Sequence, residues 1–123
     1  MSDEYDDEVY ELGSHLMKAY QRLVKVCALL PVPITLPAGP VYDSRQIIPA
    51  VNRIVTIIDD QPVPTEVRSG IWGSSLHWLS AANLYTQYIA TEGDEVLAMQ
   101  IKLNAATAGE ILHYMEELLT DDE

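Results

Sequence analysis

Glu110 and His113 stand three residues apart in a segment of helical periodicity. Glu-x-x-His on a helix is the spacing with which ferritin-like di-iron proteins hold metal. That chemistry needs a second such pair and two further glutamates facing the same core. The other candidate, Glu11 with His15, is spaced one residue too far. The apolar seam of the last helix also runs through Leu112 and Met115, which turns Glu110 and His113 towards its edge as a surface pair. Cys27 lies beside the seam of the first helix and reads as a small core residue rather than a nucleophile. His15 and His77 have no cysteine or histidine at zinc-ligand spacing. His77 therefore reads as a hydrogen-bonded polar residue. Gly70 and Gly73 open a helix instead of joining a strand to one, so they do not form a phosphate loop. These residues predict no catalytic, cofactor-binding or metal site, no small-molecule substrate and no enzymatic activity.

The elements that would carry these residues are helices. Val9, Leu12, Leu16, Ala19, Leu23, Val26 and Leu30 recur at alternating steps of three and four, widened by Tyr20, Val24 and Cys27. This predicts a helix over 8–30, stopped by Pro31. Residues 31–43 hold four prolines and predict an extended crossover. Their PxxP, Pro37 to Pro40, lacks a basic flank and reads as linker. In 44–60, Ile47, Val51, Ile54, Val55 and Ile58 suit a helical face, with Ser44 as its cap and Pro49 near its first turns. The β-branched content leaves a strand as the alternative. A third helix over 66–91 ends at Glu92-Gly93, and Asp94 caps a fourth. The seam of the fourth is Leu97, Ile101, Ala105, Ala108, Leu112, Met115 and Leu119, and the short turn makes the last two helices an antiparallel hairpin. The expectation is one all-α domain over 1–123, a four-helix bundle or irregular four-helix array, with acidic tails at 1–7 and 120–123.

The chain has 123 residues and a net charge of −12, but that charge is unevenly placed. Six acids fall in residues 1–11 and five in 116–123, leaving eight acids against seven bases between them. A basic stripe for phosphates is missing, which predicts no direct nucleic-acid binding and no attraction to anionic membranes. One cysteine allows no internal disulfide, and the first residues are acidic where a targeting peptide is basic and apolar. Together these predict a soluble cytoplasmic protein.

Between Arg68 and Glu92 lie 23 residues without Asp, Glu, Lys or Arg. A helix without a charged face is usually buried, yet three neighbours cannot surround a helix in so small a fold. Either the helix is unusually central or another chain covers it. Aromatic enrichment with charge depletion marks interface centres, so Ile71, Trp72, Trp78, Tyr85, Tyr88 and Ile89 are the interface candidates. The polar residues Ser74, Ser75, His77, Ser80 and Asn83 disfavour a membrane span. The functional expectation is a non-enzymatic interaction or assembly subunit that self-associates or docks on a protein partner through 69–91. The alternative is an acidic inhibitor of a basic-grooved enzyme, a role small viral accessory proteins can fill, with the carboxylates of both tails gathered at one end of the bundle.

Overall fold

The computed structural model of the chain describes residues 3–38 and 44–121. Helix α1 spans Asp3–Ala28, α2 Ser44–Ile57, α3 Thr65–Ala90 and α4 Glu95–Thr120. A single 3₁₀ turn, Ile58–Asp60, extends α2, and no strand occurs among the described residues. The fold is an all-α four-helix array. Segment 44–57 takes the helical alternative because Ile47, Val51, Ile54 and Ile58 fall on one side and are all buried. The cap role expected of Ser44 and residue Pro40 of the PxxP lie outside the described side chains. Of the acidic tails, residues 3–7 and 120 are helical. Acids at the first turns of α1 complement the positive end of its dipole and so prolong the helix towards the N-terminus.

Directions of the helices follow from their cross-links. Trp78 donates its indole N–H to the Leu16 carbonyl at 2.9 Å, and the Tyr85 hydroxyl donates to the Val9 carbonyl at 3.2 Å. Rising numbers in α3 thus meet falling numbers in α1, so the two are antiparallel. His77 Nδ1 lies 2.9 Å from Asn104 Oδ1, and the Tyr114 hydroxyl donates to Glu66 at 2.9 Å, which makes α3 and α4 the expected antiparallel hairpin. Lys102 pairs with Glu8 at 3.4 Å and Lys25 with Glu116 at 2.8 Å. Helices α1 and α4 are therefore parallel neighbours. Helix α2 packs on α3 alone, which leaves α3 in contact with all three other helices.

The long crossover permits this non-alternating topology. Ile34 N–H returns to the Cys27 carbonyl at 3.1 Å, and the Tyr20 hydroxyl donates to the Pro37 carbonyl at 2.5 Å, so the segment after α1 folds back along it. Gln61 then ties this segment to the end of α2: its amide donates to the Val32 carbonyl at 2.6 Å and accepts from the Val32 N–H at 3.2 Å. The expected seams are the observed core, with Leu12, Leu16, Leu23 and Val26 from α1 and Ile101, Ala105, Ala108, Leu112 and Met115 from α4.

The α3–α4 turn is made by local chemistry. Gly93 adopts φ +105°, which glycine tolerates, and its N–H bonds the Tyr88 carbonyl at 3.2 Å. Asp94 Oδ1 then accepts from the N–H groups of Val96 at 2.8 Å and Leu97 at 3.3 Å. Replacing this cap, Asp94→Ala, is expected to cost about 1 kcal/mol, while Asp94→Ser retains most of it. Urea unfolding of the two variants checks the pair; equal losses would contradict the capping role.

Candidate functional site

Central position explains most of the missing charge on α3. Three helices cover its flanks, and Ile71, Ser74, Ser75, Trp78, Ala81, Ala82 and Tyr88 are buried within the chain itself. Of the six residues singled out as interface candidates, Ile71, Trp78 and Tyr88 are thus core. Trp78 packs on Tyr20 at 5.6 Å between ring centroids, and Tyr88 stacks on Tyr5 at 5.9 Å. Tyr85 is half-buried, its hydroxyl held by α1. Trp72 and Ile89 reach the surface, at 47% and 45% exposed. What remains of α3 outside is a strip of Ser69, Ser80, Asn83 and Gln87 around Trp72.

The Ser75 hydroxyl is fully buried, and finds no hydrogen-bond partner among the described residues. An unpaired buried hydroxyl is costly, whereas alanine keeps the small volume that close helix approach needs. Ser75→Ala is expected to leave stability unchanged or raise it by up to about 1 kcal/mol. A clear loss on thermal or urea unfolding would mean that the hydroxyl is satisfied after all.

A second apolar row lies on α4. Val96, Met99 and Leu103, at steps of three and four, are 62%, 63% and 67% exposed. They fall off the α4 seam, on the side turned away from the core. Lys102 is the one formal charge between residues 96 and 109, and its ammonium turns towards Glu8 and Glu11 of α1, at 3.4 and 3.8 Å. The sequence carries this signal as a second periodic row beside the first, one that the charge-free stretch of α3 overshadows.

The titratable groups are dispersed. Glu110 is exposed. Arg22 Nη1 lies 2.9 Å from His113 Nδ1, and His113 Nε2 faces Glu117 at 3.4 Å. A guanidinium only donates, so Nδ1 is the accepting atom of this contact. His15 faces Glu11 at 3.7 Å on the surface of α1. No three His, Cys, Asp or Glu among the described residues stand close enough together to hold a metal ion. Cys27 is fully buried, and burial pushes its thiol up to about 12. The Lys25 ammonium hydrogen-bonded to Glu116 holds that carboxyl below the usual range.

Several clefts lie along α1, and two of them adjoin its middle and C-terminal turns. One, of about 430 Å³, is apolar and lies between α1, α2 and α3, lined by Leu16, Met17, Ile48 and Trp78 among others. The other, of about 650 Å³, runs between α1 and α4 over a floor of Ala19, Ala105, Ala106 and Gly109 and is edged by Lys18, Arg22 and Lys25. The acidic runs stay apart. Glu8 and Glu11 sit beside Lys102 near the start of α4, whereas Glu116 sits beside Lys25 towards its end. Because α1 and α4 are parallel, the two runs occupy opposite ends of a helix pair about 39 Å long.

No described helix is long and apolar enough to cross a membrane. No protein-family model, curated protein or solved structure matches the chain.

Proposed function

We propose that the protein is a non-enzymatic assembly or adaptor subunit that docks on a protein partner through the uncharged outer face of α3 and the adjoining first half of α4. The observation that carries this reading is the row Val96, Met99 and Leu103, each more than 60% exposed on a helix that has a complete core seam elsewhere. Scattered exposed aliphatics are ordinary, but a contiguous row is the kind of surface that a partner covers. Trp72 adds an aromatic anchor on the neighbouring helix. The acidic-inhibitor alternative draws less support, since carboxylates at opposite ends do not make one dense anionic surface.

Trp72→Glu and Leu103→Glu alter exposed positions and should leave helicity intact. Both are expected to lose the same partner in affinity capture from native cell extract, compared quantitatively with the unaltered chain. A partner retained at full strength by both variants would refute this surface as the docking face.

A further inference from the structure

Helix α1 carries its charges in an order that reads as its own complement. Along one exposed side run Glu4, Asp7 and Glu11, then Ser14 and His15, then Lys18, Arg22 and Lys25. At about 100° per residue the six charged positions fall within roughly 60° of arc. All six are exposed, and Glu4, Asp7 and Lys18 have no ion-pair partner among the described residues. The other three make only surface contacts, Glu11 with Lys102 and His15, Lys25 with Glu116, and Arg22 with His113.

We infer that this side of α1 is a self-complementary docking surface whose occupant is a second copy of the chain, bound antiparallel about a two-fold axis between Ser14 and His15. In that register Glu4 faces Lys25, Asp7 faces Arg22 and Glu11 faces Lys18 of the second copy, and the symmetry repeats each pair. Sliding by one heptad either way sets Glu11 against Glu11 or Lys18 against Lys18. A parallel pairing sets like on like throughout. The proposed register makes six opposite-charge contacts, whereas either slid register keeps only two (Glu4 with Lys18, or Glu11 with Lys25) beside its like pair, so it is the most favoured of the three.

The structure leaves room for this neighbour. The cleft between α1 and α4 lies along the basic half of the stripe, and a Cβ built on Gly109 in its floor would meet nothing within 4 Å. A helix-on-helix footprint about 39 Å long and 10 Å wide covers roughly 390 Å² on each copy, about 800 Å² in total, below the range of stable interfaces, which makes this a weak, reversible contact. The dimer is accordingly sensitive to concentration and salt, since exposed pairs are individually weak and screened. This surface is separate from the apolar rows of α3 and α4, and its test reads homodimer mass rather than partner capture, so either idea can fail alone.

Sedimentation equilibrium of the full chain at about 0.1 M salt, which screens the repulsion between two chains of net charge −12 beyond about 10 Å, is expected to show twice the 13.7 kDa protomer mass, falling towards the protomer near 0.5 M. A triple reversal, Lys18→Glu with Arg22→Glu and Lys25→Glu, makes the stripe wholly acidic. Its converse, Glu4→Lys with Asp7→Lys and Glu11→Lys, makes it wholly basic. Each alone should self-associate at least about 100-fold more weakly, and mixing the two should restore a 1:1 dimer. Glutamine at the same positions offers a milder version, and circular dichroism verifies that each variant is folded. A chain that stays monomeric at about 0.1 M salt, folded reversals that dimerise as before, or a mixture that fails to pair would each overturn the inference.

Discussion

Trp78→Ala should remove about 3–5 kcal/mol of stability, the largest loss expected from any single truncation in α3. Trp78 is 4% exposed, lies against Tyr20, and bonds the Leu16 carbonyl through its indole N–H. It therefore joins α3 to α1 by packing and by a hydrogen bond together. A domain of this size has about 5–15 kcal/mol in total, so the variant approaches the unfolding threshold. Trp78→Phe keeps most of the apolar area and loses the hydrogen bond, for about 1 kcal/mol from that bond. Trp72→Ala, at a half-exposed position, is expected to change stability by less than about 1 kcal/mol. Urea unfolding of the three variants ranks them. Equal costs at 72 and 78 would contradict the division of α3 into a core side and an outer side.

The second large effect is alkaline. Cys27 has its thiol pushed from 9.0 up to about 12 by burial, so the folded chain holds that proton after the unfolded chain has released it. The associated stability is intact below pH 9 and is lost as pH rises from 9 towards 12. The slope is about 1.4 kcal/mol per pH unit, reaching about 4 kcal/mol in all. The Tyr88 hydroxyl is likewise held above its ordinary value, chiefly by burial. The informative quantity is therefore the difference between the unaltered chain and Cys27→Ala. That difference should stay constant below pH 9 and narrow between pH 9 and 11 in urea titrations, and parallel curves across that window would exclude the effect. The same burial should make the native thiol react with a disulfide reagent only as fast as the fold opens.

The two predictions share a cause. Helix α3 and the seam of α1 build one interior, and groups that read as ambiguous in one dimension become unambiguous inside it. Cys27 reads as core from its place beside the α1 seam, because helical spacing alone puts it there. Trp78 does not, because a charge-free helix presents no polar face from which to tell inside from outside.

Local chemistry made a large part of this protein legible from its residues. The seams of α1 and α4, the stop at Gly93, the cap at Asp94 and the α3–α4 hairpin all depend on neighbours within a few turns, and each is found as read. Helix α2 needed tertiary context, since its β-branched face fits a strand equally well until α3 lies against it. Tertiary structure alone decided the direction of α1 relative to the α3–α4 hairpin, and with it the separation of the two acidic runs. It also decided which residues of 69–91 are enclosed, burying Ile71, Trp78 and Tyr88 while leaving Trp72 and Ile89 outside. Periodicity specifies a helix and its apolar side. Which side meets which neighbour depends on how the crossover returns the chain, and residues 31–43 encode a reach rather than a direction.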